Sequence, residues 1–134
     1  MTSRKIVFAG GGTAGHIQPA LAVARLWQQT YPSDQVIFLG TSSGLETKLV
    51  PEAGFDLKLI TRVRVPRSLS PDLLKVPGSL RRSISESKNI LRDADLLIGF
   101  GGYVCAPAYL AAKSLKVPIV IHEANAEPGW ANRL

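Results

Sequence analysis

Ile6-Val7-Phe8-Ala9-Gly10-Gly11-Gly12-Thr13-Ala14-Gly15-His16 decides how this chain is read. Four apolar residues without polar alternation suit a strand covered on both faces, as in a parallel sheet. The glycines that follow tolerate positive φ and let a backbone approach a ligand closely. A helical pattern opens near Pro19, where a first-turn proline is tolerated, and runs to about Thr30. Strand, glycine loop and helix in that order offer free N–H groups and a positive dipole end to an anion. The loop is therefore read as a holder of a phosphorylated or sugar-nucleotide substrate, with the His16 imidazole beside it.

The same alternation repeats outward from this stretch. Further strands are expected at about Gln35–Gly40, Leu57–Ile60, Asp95–Phe100 and Pro118–His122, the first strand spanning Lys5–Gly10. Helices are expected at about Gly44–Glu52, Gly78–Arg92 and Ala106–Ser114. In the first helix Leu21, Ala24, Trp27 and Tyr31 fall near one face. This order implies a Rossmann-like α/β fold: an open parallel sheet with right-handed crossovers and helices on both faces. Ligands of such sheets bind beyond the carboxyl ends of the strands. Three loops belong to such ends, Gly10–His16, Gly101–Pro107 and His122–Gly129, and they are expected to converge on one edge. The last stretch, Pro128 to Leu134, reads as the opening of another helix, which points to a fragment or to one half of a two-domain protein.

The 134 residues, 46% hydrophobic and 19% charged, fit one soluble globular domain. No apolar run approaches the roughly 20 residues that span a bilayer, and no secretory pattern opens the chain, in keeping with a cytosolic setting. One cysteine excludes an internal disulfide, and no Cys/His cluster suggests zinc. No cofactor is expected. The formal charge of +6 favours an acidic partner: nucleic acid, anionic lipid or a phosphorylated substrate.

Gly10, Gly12 and Gly15 satisfy the dinucleotide spacing G-x-G-x-x-G. A nicotinamide site would place Asp or Glu near the end of the second strand for the ribose hydroxyls. That end reads Phe38-Leu39-Gly40-Thr41-Ser42, and Glu46 falls inside the next helix, so this reading is disfavoured. No Gly-Lys-Ser/Thr follows the glycines, which excludes a P-loop. A tight strand-to-helix turn without a ligand remains the plain alternative. A helix N-terminus disfavours the imidazolium of His16, which suits a neutral base or acceptor; a capping or packing role is equally compatible.

Taken together, three segments bring a family into view. Gly11-Gly12-Thr13-Ala14-Gly15-His16-Ile17-Gln18-Pro19-Ala20-Leu21-Ala22 resembles the first glycine loop of the MurG family of peptidoglycan glycosyltransferases. Gly101-Gly102-Tyr103-Val104 with Pro107 resembles its second, and His122-Glu123-Ala124-Asn125 the motif after its fifth strand. The chain departs from the family pattern at Ala14, where glycine is common, and at Ala124, where glutamine is common. The resemblance implies the N-terminal, acceptor-side domain of a GT-B enzyme, with a C-terminal donor-binding domain outside this chain. It implies transfer of N-acetylglucosamine from UDP-GlcNAc to the undecaprenyl-linked lipid I, giving lipid II, with inversion and without metal. Donor contacts then map onto Thr13, Ala14, Gly15 and Asn125. His16 is the base candidate by residue type and by resemblance. Glu123 is a second acid/base or acceptor-positioning candidate. Gly101, Gly102 and Tyr103 are substrate-binding candidates, and Tyr103 either lines the acceptor cleft or caps the core. His122 is read as structural.

Between Arg62 and Arg82 lie Arg62, Arg64, Arg67, Lys75, Arg81 and Arg82, opposed only by Asp72. Leu69, Leu73, Leu74, Val76 and Leu80 are interleaved. Basic residues around an exposed apolar patch suit docking on anionic lipid, here the cytoplasmic membrane surface that carries lipid I. Arg67, Leu73, Leu74, Lys75, Leu80, Arg81 and Arg82 are the docking candidates; the alternative is a solvated segment whose leucines face the core. Nucleic acid is not expected, because aromatic residues for base stacking are missing there. A non-catalytic membrane-docking subunit that pairs with a separate catalytic domain remains a second reading of the chain, and an NAD(P)-binding oxidoreductase domain a third.

Overall fold

The computed structural model describes residues 2–125, 127 and 129–134. Five strands alternate with helices: β1 (Lys5–Ala9), α1 (Ala14–Thr30), β2 (Gln35–Gly40), α2 (Glu46–Glu52), β3 (Asp56–Leu59), α3 (Val76–Leu91), β4 (Leu96–Gly99), α4 (Cys105–Leu115) and β5 (Ile119–Ile121). A 3-10 turn over Pro71–Lys75 leads into α3, and another covers Ala131–Arg133. The sheet order is β3-β2-β1-β4-β5, with every adjacent pair parallel. The chain winds outward from β1 to β3, then crosses back to place β4 on the other side of β1. That reversal opens a crevice between the carboxyl ends of β1 and β4, where Ala9 pairs with Gly99.

Alternation along each strand feeds two cores. Ile6 and Phe8 of β1, Val36 and Phe38 of β2 and Ile98 of β4 pack under α1 and α2. Val7, Ala9, Leu39 and Leu97 point the other way, under α3 and α4. Phe8 is fully buried and stacks on Phe38 at 5.2 Å and Phe100 at 6.1 Å. Truncating such a side chain typically costs about 3–5 kcal/mol. On the opposite layer, buried Ser83 and Ser87 of α3 lie in the same packed layer as Ala108, Ala111 and Ala112 of α4, where small side chains let helix backbones approach.

Several boundaries differ from those expected. Helix α1 starts at Ala14, not near Pro19, so Ala14, Gly15 and His16 form its first turn and Pro19 lies inside it. A proline there has no N–H for the Gly15 carbonyl one turn back. Tyr31 is the C-cap of that helix and is partly exposed. α2 begins at Glu46, two residues late, and α3 at Val76, two residues early. β5 is short, and Val120 and Ile121 are about half exposed, because the strand forms the sheet edge. The closing stretch forms a single 3-10 turn over Ala131–Arg133, and Pro128 lies outside the described residues. Among the described residues no helix is long and apolar enough to cross a membrane.

Candidate functional site

The loops after β1, β4 and β5 meet at the crevice. Glycine makes the first contact possible. Gly102 has φ +95°, and a Cβ there would lie 2.5 Å from the Gly11 carbonyl oxygen, so the two loops touch backbone to backbone. Gly101 leaves room for the His16 ring, which would sit 3.1 Å from any Cβ at that position. Cys105, at the opening of α4, is buried and directs its Sγ to the carbonyls of Ala9 and Gly101, both at 3.3 Å. Burial pushes this thiol up from its ordinary pKa, so it serves as a neutral donor between the loops.

These loops enclose a pocket of about 260 Å³. Its walls are His16 from the first loop, Gly101, Gly102 and Tyr103 from the second, and Glu123, Asn125 and Gly129 from the third. Trp130, Ala131 and Asn132 close the far side. His16 and Asn125 therefore share one cavity, as the convergence of loops requires. Thr13, Ala14 and Gly15 do not line it; they stand exposed at the opening of α1, beside it. Ala126 and Pro128 of the third loop lie outside the described residues.

His16 Nδ1 lies 3.2 Å from the Gly11 carbonyl oxygen and 3.3 Å from Thr13 Oγ1. A carbonyl only accepts, so the Nδ1 contact places a proton on Nδ1. In the neutral ring Nε2 then carries the lone pair. Thr13 is the N-cap of α1 by position, but its hydroxyl does not cap; it turns to the imidazole. The capping alternative for His16 does not apply, because its ring bonds backward to the loop.

Glu123 organises the third loop. Its Oε1 accepts from the Asn125 N–H at 3.0 Å and from Asn125 Nδ2 at 2.9 Å. Its Oε2 accepts from the Gly129 N–H and from Asn132 Nδ2, both at 2.9 Å. These donors, the Gly129 and Asn125 amides first, hold the carboxyl down to about 2. Four accepted hydrogen bonds tie this carboxylate to the loop, which favours positioning over acid/base work among the two roles expected of Glu123. Behind it, the buried Tyr109 hydroxyl donates to Asn132 Oδ1 at 2.7 Å and sets that amide's orientation. Burial pushes the Tyr109 phenol up, which keeps it a donor. His122 is exposed; its ring lies 5.2 Å from Phe100 and its N–H extends the β4–β5 pairing to Gly99.

Sequence reading missed Tyr109, Trp130, Asn132 and Glu46. Glu46 is buried beneath the first loop and accepts from Gly12 N–H at 3.0 Å, so that amide is not open to a ligand. The Gly12 amide therefore drops out of the loop amides expected to face phosphate. The spacing of Asn125 and Asn132 around Gly129 is the one legible hint of the third loop's wiring.

Residues 6–134 match the glycosyltransferase family 28 N-terminal domain. The chain belongs to that family. A curated relative of this family 28 domain in Corynebacterium jeikeium (strain K411), 57% identical over 131 residues, is a UDP-N-acetylglucosamine–N-acetylmuramyl-(pentapeptide) pyrophosphoryl-undecaprenol N-acetylglucosamine transferase. That match covers 96% of this chain and 35% of the relative. The transferase of the same name from Streptomyces coelicolor (strain ATCC BAA-471 / A3(2) / M145) is 56% identical, with 96% and 36% covered. The crystal structure of Acinetobacter baumannii MurG superposes with a TM-score of 0.81 at 33% identity, over 97% of this chain and 38% of that one. The family 28 domain thus spans a little over a third of the length of the curated relatives it matches.

The expected docking residues lie in the segment that leads into α3 and along that helix. Leu69 and Leu74 are 96% and 86% exposed, so these two leucines do not face the core. Leu73 and Leu80 are half-buried, and Pro77, Leu80, Arg81, Ile84, Ser85 and Lys88 line an open groove along α3. Arg67 and Arg81 are exposed, and Lys75 pairs with Asp72 at 3.1 Å. Arg82 pairs with Glu86 at 3.0 Å while its side chain stays 76% exposed, and Glu86 also accepts from the Thr61 N–H and hydroxyl.

Proposed function

We propose that this domain is the acceptor-side half of a transferase that moves N-acetylglucosamine from UDP-GlcNAc onto lipid I, giving lipid II. The observation that carries the reading is the pocket in which the His16 imidazole, with its Nδ1 proton held by Gly11, faces the second and third loops. Relatives 52–57% identical over nearly the whole chain bear that activity by name. The donor-binding half is assigned to the part of the relatives that this chain does not span.

In the proposed step the acceptor hydroxyl attacks the anomeric carbon as its proton passes to His16 Nε2. The bond from that carbon to the diphosphate oxygen breaks, and UDP leaves with the electron pair, inverting the centre. The exposed amides of Ala14 and Gly15, at the positive end of α1, face the charge that develops on the diphosphate. Thr13 and Asn125 complete the donor contacts. Gly101, Gly102 and Tyr103 shape the acceptor cleft, and Glu123 holds Asn125 in place. Leu69, Leu73, Leu74 and Leu80, with Arg67, Lys75 and Arg81 around them, dock the domain on the cytoplasmic face of an anionic membrane, where a lipid-linked acceptor is presented.

In the full-length transferase, His16→Ala lowers turnover by about 100-fold or more, the usual scale of general base catalysis, while the donor KM changes little. Turnover near that of the unsubstituted enzyme removes His16 as the base.

A further inference from the structure

We infer that Glu46 positions His16 through the single peptide group that joins Gly11 to Gly12. The Gly12 N–H of that group donates to Glu46 Oε2 at 3.0 Å, and its Gly11 carbonyl accepts from His16 Nδ1 at 3.2 Å. The N–H and C=O of a trans peptide point in opposite directions, so the group is held at both ends. One end is a buried carboxylate and the other the imidazole.

The seat beneath the loop is built for this carboxylate. Glu46 is 1% exposed, and its Oε1 accepts from the Thr41 N–H at 3.0 Å and the Thr41 hydroxyl at 3.2 Å. A Cβ at Gly11 would lie 2.7 Å from Oε1, one at Gly40 would lie 2.6 Å from Cγ, and one at Gly44 would overlap the carboxylate. Gly11, Gly44 and Gly40 at the end of β2 thus leave the space that one glutamate fills. An unpaired buried carboxylate is costly, and the donors from Thr41 and Gly12 offset that cost.

Two consequences follow for the site. A negative charge on the N–H side of a peptide polarises it and strengthens the bond its carbonyl accepts. That keeps the proton on Nδ1 and leaves Nε2 as the open acceptor toward the pocket. It also keeps the Gly11–Gly12 peptide from turning over, which would aim an N–H at Nδ1 and favour the wrong tautomer. Glu46 is a positioning residue in this scheme; it does not line the His16 pocket. Its importance for turnover rests on the reading of His16 as the base, whereas the coupling itself does not.

The test uses ¹⁵N-histidine labelling, which in this chain marks only His16 and His122. In the unsubstituted protein the His16 nitrogens report a protonated Nδ1 and a bare Nε2 above the imidazole titration. Glu46→Gln keeps the shape but offers one acceptor oxygen in place of two, so the His16 tautomer population shifts. Thr41→Val removes a donor to the same carboxylate without touching Gly12, and it leaves the His16 signals in place. In the full-length transferase, Glu46→Gln lowers kcat by about tenfold or more with the donor KM held, a fraction of the usual base contribution. An Nε2-protonated His16 in the unsubstituted protein overturns the coupling, even where Glu46→Gln fails to fold. A folded Glu46→Gln protein with unchanged His16 signals overturns it as well. A tautomer shift with full turnover supports the coupling and refutes the base assignment instead.

Discussion

Replacing Gly102 by alanine tests the contact that brings the first two loops together. Two costs add at this position. The backbone sits at φ +95°, which a side chain rarely adopts, at about 1–2 kcal/mol. The added Cβ would also lie 2.5 Å from the Gly11 carbonyl, a backbone atom that cannot swing away. Overpacking of that kind adds about 1–3 kcal/mol, for a total of roughly 2–5 kcal/mol. Gly54 supplies the reference: its φ is +85°, and nothing lies within 4 Å of an added methyl, so Gly54→Ala carries only the backbone cost. Urea unfolding followed by circular dichroism measures both. With a urea slope of about 1–3 kcal/mol/M, Gly102→Ala lowers the midpoint by roughly 1–3 M and Gly54→Ala by about half as much. Equal shifts for the two variants would refute the backbone contact between the loops.

Other outcomes follow from the same contacts. Because Glu123 is held down to about 2 in the fold, against an ordinary value of 4.5, its contribution is complete above that ordinary value and is lost as pH falls toward 2. The Asn125 and Gly129 amide signals therefore stay constant from neutral pH to about 4 and move only below it; a midpoint near 4.5 contradicts the bonding described. Leu74→Ser combined with Arg81→Glu, which spares the Arg82–Glu86 link, lowers sedimentation with anionic vesicles by about tenfold or more, since each basic residue near such a surface contributes about 1 kcal/mol. Partitioning that is unchanged at every salt concentration contradicts docking through this face.

The parts of the fold written locally are legible in the sequence. The apolar runs at Ile6–Ala9 and Val36–Leu39 mark central strands because both of their faces are buried. The three loops are legible as one site because parallel strands send their carboxyl ends to one edge. What stays hidden depends on distant partners. Glu46 reads as an ordinary helix residue, and its burial comes from glycines at 11, 40 and 44 that are scattered along the chain. Asn132 gains its role through Glu123 and through Tyr109, 23 residues earlier. Ile119-Val120-Ile121 has the composition of a buried strand, yet its place at the sheet edge leaves Val120 and Ile121 half exposed. The start of α1 is misplaced when Pro19 is read as a first-turn signal, because the helix opens within the glycine motif and carries the proline inside.

Titration of the ¹⁵N-labelled chain with a short-prenyl diphosphate carrying the N-acetylmuramyl-pentapeptide tests the central claim most directly. Amide shifts that cluster at His16, Gly101–Tyr103 and Glu123, on the acceptor side of the pocket, are the predicted result. Shifts confined to the opposite groove, at Arg25, Gln28 and Phe55, would contradict it.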